Sequence, residues 1–188
     1  AGLVNGWFIT RVKVPPLIMT LATLALYRGL AEGISEAHSV RGYPDWFYVI
    51  GQGEVLGVPT QLWVLLVAII ITAIVLARTT FGRALYAIGH NEVAARFSGL
   101  PVDGYKLAIY TFSGFMAGLA GFIFVSRVST TRSDMGTGLE LDVIAAVVLG
   151  GTSIFGGVGT IAGTTIGFIL IQLLKNGLAL TGVKGDAT

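Results

Sequence analysis

Few side chains in this sequence of 188 residues could carry out catalysis. There is no cysteine, which excludes a thiol nucleophile, a disulfide and a thiolate metal ligand. The two histidines, His38 and His90, both fall in polar stretches. Ser153 lies in an apolar stretch, but a serine hydrolase needs a general base beside its nucleophile, and neither histidine lies in an apolar stretch. We therefore predict no catalytic residue, no metal site and no cofactor.

Two acids, Glu140 and Asp142, stand directly before the longest uncharged run, residues 143–174. One interpretation places both acids in the first turn of a helix, where a carboxylate complements the helix dipole. The other places them on the path of a transported solute. The residues alone leave both interpretations open.

Glycines interrupt this uncharged run near its middle. The interruption predicts a half-helix over residues 142–149, a broken or re-entrant segment at 150–159 and a second helix from about Thr160. Irregular backbone at membrane depth persists only where protein buries it or where it lines a cavity, and broken helices mark translocation pathways. The candidate path residues are therefore Glu140, Asp142, Gly150, Gly151, Thr152 and Ser153.

The composition indicates an integral membrane protein. Hydrophobic residues make up 54% of the chain and charged residues 12%, against about 25% charged in an ordinary soluble domain. The net charge of +2 is not concentrated in a basic patch, so we predict no nucleic-acid partner. No P-loop motif is present, so we do not expect this chain to bind ATP in that way.

Three further apolar stretches approach the length of about 20 residues that a helix needs to cross a bilayer. They predict crossings at residues 15–31, 60–77 and 107–126. With the broken segment, they predict an all-α fold, a polytopic bundle of membrane helices. Arg28 is the one charged residue expected inside a crossing, which disfavours an ion-coupled carrier.

Small residues recur every four positions in two of these helices. Gly114 and Gly118 form one pair, and Gly159, Gly163 and Gly167 form a longer row. Such spacing lets helix backbones approach closely. We expect Gly163 to lie against a neighbouring helix.

Residues 32–59 form a polar, aromatic stretch that we assign to the outer face. Tyr43, Trp46, Phe47 and Tyr48 are spaced like an interfacial aromatic belt. Stacking of these rings on a sugar is the alternative, and interfacial anchoring is the commoner role.

A basic stretch, residues 78–106, separates the second and third crossings. Excess Lys and Arg in a short loop mark the cytoplasmic side. Within it, Asn91 is a good helix N-cap, and Glu92 complements the helix dipole. Gly99 is a typical stop, so we predict a short helix over residues 92–97. The charges behind the orientation are Arg78, Arg83, Arg96 and Lys106 against Glu92 and Asp103.

Several motifs resemble those of permease subunits of ABC importers, in the family of ribose-type sugar and branched-chain amino acid permeases. The resemblance is closest to the sugar branch and covers nearly the whole chain. It includes Glu140-Leu141-Asp142 and Asn176-Gly177-Leu178. In the basic stretch, the residues that carry it are Gly82, Ala87-Ile88-Gly89, Asn91, Ala94-Ala95 and Ser98-Gly99.

The resemblance implies a permease subunit in the bacterial cytoplasmic (inner) membrane that translocates a small hydrophilic solute, and its sugar branch implies a monosaccharide. ABC ATPase subunits, a second permease subunit (the same or different) and a soluble solute-binding protein are the implied partners. The chain itself is not expected to be an enzyme. A branched-chain amino acid importer and an ATPase-independent channel or carrier are the alternatives. The implied ATPase-coupling residues are Gly82, Gly89, Asn91, Glu92, Ala94, Ala95, Ser98 and Gly99.

The resemblance also implies one permease domain over residues 1–188. Related chains have further helices before residue 1 and one after residue 188. We therefore expect the sequence to be a fragment of a longer permease.

The charge pattern yields a test of orientation. A cysteine placed at Asn91 should react with a membrane-impermeant thiol reagent only from the cytoplasmic side. The chain has no other cysteine, so the signal would come from one position. Labelling from the outside would overturn the assigned orientation.

Overall fold

The computed structural model describes residues 1–36, 38–39, 42–132 and 135–180. Within this part of the chain the elements are helical, apart from one short hairpin of β1 (Glu54–Val55) and β2 (Val58–Pro59). The predicted all-α fold is therefore confirmed. A π-helical turn, Phe8–Val12, follows the first helix. The helices are α1 Gly2–Trp7, α2 Pro16–Ser35, α3 Asp45–Gln52, α4 Thr60–Arg78, α5 Thr80–His90, α6 Glu92–Phe97, α7 Val102–Val128, α8 Leu139–Leu149 and α9 Ile161–Leu180.

Four helices of the described chain, α2, α4, α7 and α9, are long and apolar enough to cross a membrane. They correspond to the predicted crossings and to the helix predicted from about Thr160. The largest difference is at α7, which begins at Val102 rather than at Leu107. Asp103 complements the dipole of its first turn, so the helix extends beyond the apolar run.

The chain divides into two compact units. Unit 1 comprises Ala1–Ala68 and Pro101–Met135, and unit 2 comprises Ile69–Leu100 and Gly136–Thr188. Helix α4 begins in the first unit and ends in the second.

In unit 1, α1 packs against α7 at glycines. A Cβ built on Gly114 would lie 2.6 Å from the Cα of Gly2, so the two backbones touch. Gly118, the other member of the predicted pair, has nothing within 4 Å of such a Cβ. The close-packing prediction thus holds for Gly114 and not for Gly118 within this unit.

Helix α3 also packs on α7. Phe47 is buried, with its ring edge-on to Phe122 at a centroid distance of 5.0 Å. Tyr43 stacks on Phe47 at 4.8 Å, and the Ser126 hydroxyl donates to the Phe47 carbonyl. The predicted interfacial role is therefore wrong for Phe47, whose neighbours are protein side chains. Trp46 is exposed, and its anchoring role remains a prediction.

In unit 2, α8 and α9 are antiparallel and meet backbone to backbone. A Cβ built on Gly163 would overlap the carbonyl oxygen of Gly150. A Cβ built on Gly167 would overlap the carbonyl oxygen of Ala146 and lie 2.8 Å from the Gly150 nitrogen. The predicted close packing of Gly163 is confirmed. The half-helix is confirmed as well, although it begins at Leu139, after Gly138 in the left-handed conformation (φ 87°).

A bulky residue at Gly163 should separate these helices. We expect Gly163→Leu to lower the free energy of unfolding by about 1–3 kcal/mol, the usual range for overpacking. Gly177→Leu on the same helix is the matched control, because a Cβ at Gly177 meets nothing within 4 Å. Thermal unfolding in detergent, followed by size-exclusion chromatography, measures both. Equal stability of the two variants would show that the α8–α9 contact tolerates a side chain.

Candidate functional site

The short helix α6 begins and ends through the residues that the sequence indicated. The Asn91 side chain accepts a hydrogen bond from the backbone N–H of Ala94 at 3.0 Å. At the other end, the Leu100 N–H donates to the Ala95 carbonyl at 3.1 Å, and Gly99 takes a positive φ of 85°. The predicted helix over residues 92–97 is therefore confirmed, with both ends capped by its own chain.

The two faces of α6 differ. Val93 is 63% exposed and Phe97 is 89% exposed, and they lie one turn apart on the same face. Ala94 is also exposed, whereas Ala95 is only 5% exposed. Ala94 can therefore contact a partner, while the Ala95 side chain faces its own chain.

Polar side chains of this segment are held locally. The Arg96 guanidinium pairs with the Glu92 carboxylate at 3.2 Å, one turn apart on the helix surface. The Ser98 hydroxyl donates to the Ala95 carbonyl at 2.9 Å. Because Asn91 caps α6, Phe97 is the better position for the cysteine in the labelling experiment.

Residues 80–90 are a helix, α5, and not the loop that we expected. The Thr79 hydroxyl caps its first turn by accepting from the Gly82 N–H at 3.2 Å. Ala84 and Ile88, one turn apart, are buried. Gly82 lies against the last turns of α4, since a Cβ there would be 2.6 Å from the Leu76 carbonyl carbon. The signals in the sequence were the Thr79 cap and the one-turn spacing of apolar residues.

The end of α5 lies directly against the irregular segment between α8 and α9. A Cβ built on Gly89 would overlap the Gly157 nitrogen, and one built on Gly157 would lie 3.0 Å from the His90 Cα. The Tyr86 hydroxyl donates to the Gly159 carbonyl at 2.7 Å. The candidate coupling stretch and the broken helix are thus in contact within unit 2.

The irregular segment, residues 150–160, is a set of turns held by its own hydrogen bonds. The Ser153 N–H donates to the Val158 carbonyl at 2.9 Å, and the Ser153 hydroxyl accepts from the Phe155 N–H at 3.2 Å. The Thr152 and Thr164 hydroxyls are 3.3 Å apart. Gly151 turns the chain out of α8 with φ 83°. Of the predicted path residues, Thr152 and Ser153 therefore already have local partners.

Both predicted acids lie in the first turn of α8, as one interpretation required. Glu140 is exposed. The Asp142 carboxylate forms an ion pair with Lys175 of α9 at 2.6 Å, and their side chains are 22% and 38% exposed. The expectation that Arg28 is the one charge inside a crossing is therefore wrong, because Lys175 lies within the apolar helix α9.

No metal-binding group of three His, Asp or Glu residues occurs in the described part of the chain. The site that unit 2 presents thus consists of an exposed capped helix, a glycine-rich contact and an ion pair. Such a set of features can bind a protein partner, transmit movement and contact a polar solute.

The family model described as "Branched-chain amino acid transport system / permease component" matches residues 1–187. The chain belongs to this permease family. It is 44% identical over 182 residues to the ribose import permease protein RbsC of Bacillus subtilis, covering 96% of this chain and 56% of that protein. It is 42% identical over 187 residues to RbsC of Escherichia coli K12, covering 97% of this chain and 58% of that protein.

A further similar permease is the L-arabinose transport system permease protein AraH of Escherichia coli K12, at 39% identity over 181 residues. That match covers 96% of this chain and 55% of AraH. The chain thus spans little more than half the length of these relatives. No solved structure matches it. Membership of the permease family and the four apolar helices of the described chain identify an integral membrane protein, and the family resemblance drawn from the sequence motifs is confirmed.

Proposed function

We propose that this chain is part of the transmembrane permease subunit of an ATP-binding-cassette importer in the bacterial cytoplasmic membrane. The solute is small and hydrophilic, of the monosaccharide class. The similar proteins named for ribose and arabinose transport support this choice. We further propose that both compact units belong to one permease domain.

The observation that carries the proposal is the exposed face of α6. Val93, Ala94 and Phe97 present apolar surface in a stretch whose excess positive charge assigns it to the cytoplasm. An exposed Phe on a rigid, capped helix is suited to insertion into a hydrophobic groove of a partner. We assign that groove to a separate ATPase subunit.

The proposed docking of α6 on a separate ATPase subunit implies the rest of the assembly. ATP hydrolysis takes place on the ATPase subunits, and the permease supplies the pathway. A second permease subunit pairs with this one, and a soluble binding protein delivers solute at the outer face. The exposed faces of α6 in both permease subunits then respond to ATPase closure.

The coupling role of α6 can be tested at Ala94. We expect Ala94→Glu to leave membrane insertion unchanged, because the helix lies outside the lipid. It should reduce solute uptake and release the ATPase subunit, since a charge cannot enter an apolar groove without loss of solvation. Uptake and ATP hydrolysis in reconstituted vesicles are the measurements.

Arg96→Ala is the control for this experiment. It removes an exposed ion pair with Glu92, which is worth about 0.3–0.5 kcal/mol at this spacing. It should therefore have little effect on uptake. Full coupling in the Ala94→Glu variant, or in Ala94→Glu combined with Ala95→Glu, would contradict the docking role. Ala95→Glu alone is less informative, because Ala95 is buried in its own chain.

The translocation path is proposed to pass Asp142 and Lys175. We infer that residues 150–160 lie on the proposed cytoplasmic side together with the α5–α6 stretch, because Gly157 contacts His90. Asp142 stands eight residues before Gly150, and Lys175 fourteen residues after Ile161. At about 1.5 Å per residue, these positions rise roughly 12 Å and 21 Å from that side. Both lie well inside a hydrocarbon core of about 30 Å.

Charged residues at this depth are expensive and mark substrate pathways. The Asp142 carboxylate can accept hydrogen bonds from sugar hydroxyls, and the Lys175 ammonium can donate to them. We propose that Glu140, Gly150, Gly151, Thr152 and Ser153 form the remainder of this path.

A branched-chain amino acid is the second candidate solute. The family description names that class, and Asp142 and Lys175 offer opposite charges to an ammonium and a carboxylate. An uptake comparison of labelled ribose and labelled leucine decides between the two classes. Loss of uptake in the Ala94→Glu variant would argue against the alternative of an ATPase-independent channel or carrier.

Variants of the ion pair test the path. We expect Asp142→Asn and Lys175→Gln each to reduce the amount of assembled permease, because each leaves one charge without its partner. The neutral double variant should restore assembly, since replacing both members of a pair is often tolerated. If the pair contacts solute, the assembled double variant transports about 10- to 100-fold more slowly, as expected for lost hydrogen bonds to charged groups. Wild-type uptake by that variant would remove the pair from the path.

A further inference from the structure

Where the end of α5 meets the irregular segment at residues 150–160, backbone lies directly against backbone. Gly89 lies against Gly156 and Gly157, and a Cβ on Gly156 would be 3.2 Å from the Gly89 Cα. Closely packed backbone has no rotamers with which to absorb a displacement. A shift at the end of α5 must therefore displace the segment against it.

On one side of this contact, α5 continues into α6 with little freedom. Asn91 is the only residue between the two helices and takes part in both ends. Its N–H donates to the Ala87 carbonyl of α5 at 3.1 Å, while its side chain caps α6. Any force on α6 thus reaches the last turn of α5.

On the other side, the irregular segment leads into α8 and α9, which are tightly packed on each other. Gly150 contacts Gly163, and Ala146 contacts Gly167. Farther along the same two helices lies the Asp142–Lys175 pair. The described residues of unit 2 therefore form an unbroken series of close contacts from α6 to that pair.

Steric contact resists only the compression of α5 against the irregular segment. Transmission of movement in both directions also needs a bond that resists their separation. The Tyr86 hydroxyl supplies that resistance, because it donates to the Gly159 carbonyl at 2.7 Å. Tyr86 lies one turn before the glycine contact on α5, so the bond and the contact act on the same segment.

We propose that the Gly89–Gly157 contact, fastened by Tyr86, transmits movement of α6 to α8 and α9, with Tyr86 as a positioning residue for transport. This inference rests on the proposed function. It assigns a role to Tyr86, Gly156 and Gly157, which no motif of the coupling stretch included.

The first test is Tyr86→Phe in the complete transporter, with permease, ATPase and binding protein reconstituted in vesicles. The readout is the ratio of solute imported to ATP hydrolysed. We expect this ratio to fall about fivefold, the effect of losing one neutral hydrogen bond of about 1 kcal/mol. Tyr27→Phe is the control, because Tyr27 lies on α2 and is 40% exposed. Its ratio should equal that of the wild type.

The second test is Gly157→Ala, which adds a methyl group 3.0 Å from the His90 Cα at a φ of 76°. We expect the import ratio to fall about tenfold, within the range that overpacking usually costs, while the ATPase subunit still co-purifies. Gly57→Ala is the control for backbone strain, because Gly57 has a φ of 74° and nothing within 4 Å of its Cβ position. It should leave the ratio unchanged.

The outcomes separate the two proposals. If the ATPase subunit does not co-purify with the wild-type permease, the proposed function fails. If it co-purifies and both Tyr86→Phe and Gly157→Ala keep the wild-type ratio, only the transmission proposal fails. An equal fall in Gly57→Ala and Gly157→Ala would attribute the effect to backbone strain and would also overturn it.

Discussion

The close approach of α8 and α9 at glycine is the constraint on which the described part of unit 2 depends. Gly150, Gly163 and Gly167 each lie where a Cβ would meet backbone atoms of the facing helix. In lipid, helix association gains little from the hydrophobic effect and relies on van der Waals contact and interhelical polar bonds. The glycine contact supplies the first and the Asp142–Lys175 pair the second. The charged atoms of that pair are 2.6 Å apart.

The sequence predicts those elements whose determinants are local. Helix α6 needs Asn91 and Gly99 at its ends, and both act within a few residues of chain. The break between α8 and α9 needs glycines with positive φ, which glycine adopts at little cost. Apolar runs near 20 residues predict the crossings because lipid leaves the backbone few alternatives to helix.

What sequence reasoning missed depends on partners distant in the chain. The sequence predicts Phe47 to be an interfacial aromatic residue, but its ring packs against Phe122. Lys175 follows directly after an uncharged run, and nothing near it in the sequence indicates that it pairs with Asp142, 33 positions away. A polar, basic stretch between two apolar runs predicts a loop, yet residues 80–90 form helix α5, in which Gly82 and Gly89 each lie at a close contact. Family motifs indicate a candidate coupling stretch without showing which residues it contacts.

The length of α8 has a consequence for the thickness of the permeation barrier. Its 11 residues extend about 16 Å, roughly half of the hydrocarbon core, whereas the 20 residues of α9 extend about 30 Å. In the proposed orientation, the outer half of α9 has no α8 alongside it within the described part of unit 2. A water-filled vestibule that reached the start of α8 from outside would leave a dielectric barrier only about half as thick as the bilayer. A solute would then lose its hydration over a short distance, beginning where Asp142 and Lys175 can replace some of the lost water.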